Sequence, residues 1–337
     1  PLSKQIGLLV GSLGSTGGVR AADTDLRAAV ERAGAATELV SAQAPREVRT
    51  FALTDLTWAL AARRAALAGL ETHQPCALLY SSVTAALLGP QRGAIRFDAP
   101  AAANRRGRHG LWQRPLERRR LAQAPLLVPY AEGSLREASI DPTDPRAIVV
   151  PVPIEPSAPP RAESPERDLA AMTYAANPSK KGLDRILAAW SAVRRDGERL
   201  IVCGTDRVPA AAGVEPRGTL SPNDFRALLR RARVFLAAPR REDYGQTQLE
   251  ALADGCTLVT TPAPGPYAAL PIAQQLDPRL VTDDLAPALR LALNQPAAQA
   301  ADYAARAATL LQPLRRAAVD RVVAEQLLPA LLERAAR

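Results

Sequence analysis

Two carboxylates eight positions apart, Glu242 and Glu250, stand in the stretch Pro239-Arg240-Arg241-Glu242-Asp243-Tyr244-Gly245-Gln246-Thr247-Gln248-Leu249-Glu250, which runs on to Gly255. The apolar run Val234–Ala238 before it reads as a strand, and the residues after Gly245 open a helix. A glycine there permits a tight turn and close backbone approach. The first amides of that helix, on Gln246, Thr247 and Gln248, would then lack intrahelical partners. With the positive end of the helix dipole they form a ready diphosphate site. Glu242 falls in the loop and Glu250 one turn inside the helix, so both could border one cleft and accept hydrogen bonds from sugar hydroxyls. The plain alternative is a solvated acid before an ordinary helix start.

A second group is Asn177-Pro178-Ser179-Lys180-Lys181-Gly182, which follows the apolar run Leu169–Tyr174. Lysine is scarce: Lys4, Lys180 and Lys181 are the only three, against 40 arginines. An adjacent lysine pair is therefore informative where an arginine is not. A flexible ammonium is a suitable point charge for a leaving diphosphate. The third group is the glycine string Gly11, Gly14, Gly17 and Gly18 after a first strand at Ile6–Val10. It loosely resembles a dinucleotide fingerprint, which keeps an NAD(P)-dependent oxidoreductase in view. The short-chain reductases would also need a Tyr-x3-Lys pair, and no Tyr lies four residues before any Lys.

The elements that must position these groups alternate between short apolar runs and helical-period stretches. Cys76–Tyr80, Leu126–Tyr130, Ala147–Val152, Leu200–Cys203 and Thr257–Thr260 join the strands already named. Leu26, Ala29, Val30 and Ala33 mark one helix, and Leu183, Ile186, Leu187, Trp190 and Val193 another. This rhythm predicts two parallel-sheet α/β domains. Six prolines between 151 and 165 mark an extended linker, dividing residues 1–155 from 156–314.

Composition narrows the chemistry further. The 337 residues are 47% apolar, and no run approaches the ~20 needed to span a bilayer. Three dispersed cysteines and two histidines argue against a disulfide framework or a metal site, and for a reducing cytoplasm. The net charge of +9 is divided almost evenly between the halves, so no nucleic-acid partner is expected. It concentrates in one place: Arg105–Arg120 holds seven arginines against Glu117. That segment is a solvated face, an anionic-lipid contact with Leu111, Trp112 and Leu116 on its apolar side, or the seat of an acidic acceptor.

The Glu-x7-Glu spacing with Tyr244-Gly245 inside it, followed by Leu-Glu-Ala and a later Gly, resembles the retaining glycosyltransferases of family four, which have the GT-B fold. Residues 169–295 carry the resemblance. It implies two Rossmann-like domains facing a central cleft, with a final helix (about 315–337) packing back on the first. A nucleotide-diphosphate sugar, UDP- or GDP-hexose, serves as co-substrate, with no further cofactor and no metal. By that resemblance Glu242 contacts the donor sugar, Glu250 the ribose, and Tyr244–Thr247 the diphosphate. Lys181-Gly182 matches a phosphate-binding Lys-Gly, with Lys180 beside it. Gly17-Gly18 matches a cleft-lining loop, and Arg217-Gly218 a loop facing the nucleobase. Asp98 falls near where the family places a histidine beside the reacting sugar, and His109 lies eleven residues on. The family's Gly-Arg upstream of the lysine is replaced by Tyr174-Ala175, with Arg240 or Arg241 as substitutes. A nucleotide-sugar-binding protein without turnover is the other alternative.

Overall fold

The computed structural model describes residues 7–14, 17–43, 48, 50–105, 107–158 and 167–335. The chain divides into two units, Pro1–Pro153 with Arg316–Arg337, and Ile154–Arg315.

The first unit is built on five parallel strands: β1 (Leu8–Ser12), β2 (Thr37–Ser41), β3 (Ala77–Tyr80), β4 (Ala94–Phe97) and β5 (Leu127–Pro129). Their order is β2-β1-β3-β4-β5. Side chains alternate across the sheet. Leu8 and Val10 join one core with Leu26 and Val30 of the helix Gly17–Arg32, and with Val319, Val323 and Leu327 near the C-terminus. Leu9 turns to the other face, against Ala59, Ala62 and Ala66 of the helix Phe51–His73. The C-terminal helices are thus part of this unit's core. Arg32–Asp320 (2.7 Å) and Arg316–Asp25 (3.1 Å) tie them to the first helix. Thr50 caps the helix Phe51–His73 by accepting from Leu53 N, and His73 is its last residue.

The second unit repeats the plan with β6 (Leu169–Tyr174), β7 (Leu200–Cys203), β8 (Val214–Gly218), β9 (Ala232–Ala237) and β10 (Thr257–Thr260), in the order β10-β9-β6-β7-β8, all parallel. Strands covered on both faces read as unbroken apolar runs, which is why β6, β7, β9 and β10 are visible in the sequence. Trp190 of the helix Leu183–Val193 is wholly buried and donates Nε1–H to Ala212 O at 3.2 Å.

Several elements differ from expectation. Ile6 and linker residues 159–166 lie outside the described residues. Ala147–Val152 forms no strand: one bridge joins Ala147 to Leu127, and Pro151 and Pro153 lack the N–H groups to continue a ladder. Arg217-Gly218, expected in a loop, ends the edge strand β8. β2 and β4 add two strands. Among the described residues no helix is long and apolar enough to cross a membrane.

Candidate functional site

In an open parallel sheet, ligands bind beyond the carboxyl ends of the strands where strand order reverses. In the second unit that point lies between β6 and β9. The loop after β6 carries Lys180 and Lys181, and the loop after β9 carries Glu242.

Asn177 Oδ1 accepts from Lys180 N at 2.9 Å, and Pro178 opens the short helix Pro178–Lys181. Gly182 ends it at φ +65°, so close to the next loop that a Cβ would fall 2.0 Å from Ala238 O. Arg240 N donates to Lys180 O at 3.0 Å, so the loops are joined through backbone as well. The side chains then pair in order. Lys181 Nζ lies 2.6 Å from Glu242 Oε2, and Lys180 Nζ lies 2.9 Å from Asp243 Oδ2. The first pair is the more enclosed, with Lys181 20% exposed against 43% for Lys180. A third loop, after β10, closes beneath. Glu242 N donates to Pro264 O at 3.0 Å, and Gly265 sits at φ +125° where a Cβ would strike Glu242 O.

Gly245 adopts φ +86°, packs on the Tyr267 ring and starts the helix Gln246–Ala253. The amides of Gln246, Thr247 and Gln248 belong to its first turn. Glu250 follows in the next turn and accepts from Gln246 Nε2 at 3.0 Å. Burial pushes the Glu250 carboxyl above the usual carboxylate range, against the pull of Arg226 and of the Gln246 hydrogen bond. The charged form is thus held in a place that disfavours it, where a ligand donor would relieve it.

The second unit therefore assembles Lys180, Lys181, Glu242, Gly245, Gln246, Thr247 and Glu250 around one sheet edge. Tyr244 is buried. Arg217 is exposed and pairs with Glu215 at 3.2 Å. Gly218 sits at φ +58°, accepts from Gly204 N at 2.6 Å, and has no room for a Cβ beside Asp206. Arg240 and Arg241, the expected substitutes for the missing phosphate contact, have other partners. Arg240 forks onto Asp184 (2.7 and 3.0 Å), and Arg241 pairs with Asp243 at 3.1 Å.

The remaining candidates belong to the first unit. Gly17 and Gly18 open its first helix and are exposed. Asp98 is exposed just after β4, with Oδ1 accepting from Ala99 N at 2.6 Å. His109 lies on the 3-10 turn Gly107–Gly110, and its side chain is outside the described residues. Much of the arginine segment is engaged internally. Arg105 pairs with Asp55 at 2.7 Å, Arg114 donates to the carbonyls of Gly107 and Gly110, and Arg120 to those of Leu87 and Gly89. Arg108, Arg118 and Arg119 are exposed, as is Leu111. A cavity of ≈ 790 Å³ also lies in this unit, between β2 and the helix Phe51–His73. No candidate residue lines it, and its walls carry no clustered chemistry. Among the described residues no group of three or more His, Cys, Asp or Glu could hold a metal ion.

Three side chains that the sequence motifs do not single out complete the geometry at this sheet edge: Gln248, Tyr267 and Thr260. Gln248 Nε2 donates to Glu242 Oε2 at 3.2 Å, and the hydroxyls of Tyr267 and Thr260 are 2.7 Å apart.

Residues 169–312 match the family described as glycosyl transferases group 1. Among proteins of curated function none matches the sequence. Solved structures share the fold over nearly the whole chain. The glycosyltransferase WaaG, involved in lipopolysaccharide biosynthesis, is 15% identical with a TM-score of 0.66, covering 98% of either chain. Anabaena HepE in complex with UDP-glucose is 12% identical with a TM-score of 0.66, covering 95% of this chain and 98% of that one. A UDP-forming trehalose-phosphate synthase from Burkholderia xenovorans is 15% identical with a TM-score of 0.65, covering 96% and 100%. The Glu242 and Lys181 loops and the Gly245 helix all fall within the residues that match the group 1 glycosyl transferases, and the chain as a whole shares the GT-B fold of these solved glycosyltransferases.

Proposed function

We propose that the second unit binds a nucleoside-diphosphate hexose, UDP- or GDP-linked, and that the enzyme transfers the hexose to a hydroxyl acceptor with retention and without a metal ion. The observation that carries this is the Lys181–Glu242 pair at the strand-order reversal, beside the Gly245 helix start. The amides of Gln246 and Thr247 and the Lys181 ammonium meet the diphosphate, and Glu250 accepts from the ribose hydroxyls. Glu242 accepts from the sugar. In the transfer the bond from the anomeric carbon to the diphosphate oxygen breaks. The acceptor oxygen bonds that carbon, and its proton leaves with the departing diphosphate. Positive charge and fixed amides stabilise the leaving group as its charge grows. HepE, with its UDP-glucose complex, supports a uridine donor.

Gly17, Gly18, Asp98 and His109 are the candidates for the acceptor side. Arg108, Arg118 and Arg119, with Leu111, would meet an anionic membrane or an acidic acceptor in a cytoplasmic enzyme. The deciding measurement is a thermal-shift screen with UDP, GDP, ADP and NADP, since a ligand that binds the native state raises its stability by mass action. A response to UDP or GDP alone supports the reading; a response to NADP alone overturns it.

A further inference from the structure

Gln248 is 1% exposed although it sits in the first turn of the helix Gln246–Ala253. A buried side-chain amide is costly unless both its ends are hydrogen-bonded. Thr247 Oγ1 donates to its oxygen at 2.8 Å, and the Tyr267 hydroxyl also interacts with the Gln248 side chain. With the Thr247 hydroxyl donating at the oxygen end, the amide is oriented so that Nε2 faces Glu242. Tyr267 is in turn held by Thr260 at the end of β10, and its ring packs under Gly245. A chain of polar contacts therefore runs from β10 through Tyr267 and Gln248 to Glu242 and Lys181.

Both donors, Gln248 Nε2 at 3.2 Å and Lys181 Nζ at 2.6 Å, converge on Glu242 Oε2. Among the described residues none donates to Oε1. The two donors differ in permanence. Lys181 has a flexible stem and is wanted by the diphosphate, so a bound donor draws it away from Glu242. Gln248 is packed on every side and stays.

We propose that Gln248 is a positioning residue: once the diphosphate engages Lys181, its amide alone holds the Glu242 carboxylate so that Oε1 receives the donor sugar. This rests on reading Glu242 as the sugar contact. It makes Gln248 act on the sugar-bound state and not on nucleotide affinity.

The test uses calorimetry with UDP and UDP-glucose (GDP and GDP-mannose if the screen selects guanine), together with transfer rates, on Gln248→Leu and Gln248→Glu. Gln248→Leu should keep UDP affinity within about twofold while losing about 5- to 30-fold in UDP-glucose affinity and in kcat. Equal losses for UDP and UDP-glucose would reduce Gln248 to a packing role, and no loss in either would end the proposal. Gln248→Glu places a second carboxylate against Glu242. Its activity should recover toward wild type as pH falls and the new carboxyl protonates into a donor. A pH profile parallel to wild type overturns the proposal. Glu242→Ala and Lys181→Ala separate the two failures. If neither disturbs UDP-glucose or UDP binding, the donor site itself is misread. If both do and Gln248→Leu does not, only the role of Gln248 falls.

Discussion

In the first unit the strand order reverses between β1 and β3, and the polar groups gathered there are sealed in. Asp23 is fully buried and accepts from Ser12 Oγ. Arg96, on β4, is 1% exposed, donates to Ala22 O at 2.9 Å and lies over the Tyr130 ring at 4.3 Å. The two charges approach only to 3.9 Å, and burial pushes the Asp23 carboxyl up despite Ser12 and Arg96. In the second unit the reversal falls between β6 and β9, and its pair lies closer, at 2.6 Å, with the lysine side chain partly open. One plan thus yields two outcomes. Where the cation is a rigid guanidinium tethered to backbone and ring, the charges are structure. Where it is a flexible ammonium on a loop, the pair stays partly open, as the proposed exchange of Lys181 from Glu242 to a ligand requires.

The largest expected effect tests the sealed side. Asp23→Ala should lower the unfolding free energy by about 3–5 kcal/mol, because it strands a buried guanidinium. Denaturant titration measures this, and UDP affinity of the folded fraction should stay unchanged. A variant as stable as wild type would mean that the Asp23–Arg96 cluster carries little.

On the open side, Lys181→Ala should cost about 2–4 kcal/mol of transition-state stabilisation, roughly 30- to 1000-fold in rate. Lys180→Ala, which removes an exposed ammonium paired with Asp243, should remain within about threefold in turnover. Lys181→Arg should rescue in part. If Lys180→Ala is the crippled variant, the loop presents the other ammonium to the phosphates.

Next is Glu250. Glu250→Ala should weaken nucleotide binding by about 1.5–3 kcal/mol, read by calorimetry. Glu250→Gln sharpens the comparison through pH. The folded-state pKa of Glu250 is raised, so between the ordinary carboxylate value and that raised value the native state binds more protons than the unfolded chain. Stability therefore falls as pH rises through this window, and recovers as pH drops below it. The Gln variant should lack this component: more stable than wild type at neutral pH, with the gap closing in acid. A gap constant with pH would show that the carboxylate is not strained.

The smallest effect concerns Arg118 and Arg119. Replacing both by Ser should weaken cosedimentation with anionic vesicles several-fold at low salt and hardly at all at high salt, because exposed charges are screened over about 8–10 Å. Wild-type protein that ignores such vesicles would leave these arginines a solvated face.

The strands covered on both faces were legible because burial on two sides leaves nothing but apolar residues. β4 was hidden because Arg96 interrupts Ala94–Phe97, and only the fold supplies the carbonyl and the ring that satisfy it. β8 was hidden by Pro216 and two charges, tolerable on an edge strand. The Glu242 and Glu250 spacing is local, so one helix start explains it. The pairing of Lys181 with Glu242 joins positions 61 apart and depends on β6 and β9 being neighbours, which no short motif states. Gln248 was missed for a related reason. A glutamine in a first helical turn reads as solvated until Tyr267, arriving from the loop after β10, covers it.

The loops after β6, β9 and β10 are locked by missing side chains: Gly182 lies against Ala238 O and Gly265 against Glu242 O, each where a Cβ would sit 2.0 Å away. For protein engineering this fixes the unit of exchange. Grafting the Glu242 loop alone from a related enzyme would set a foreign backbone against two surfaces shaped for this one. Recombination in this region therefore calls for all three loops to be transplanted as a set, and libraries should hold both glycines fixed while varying the residues between them.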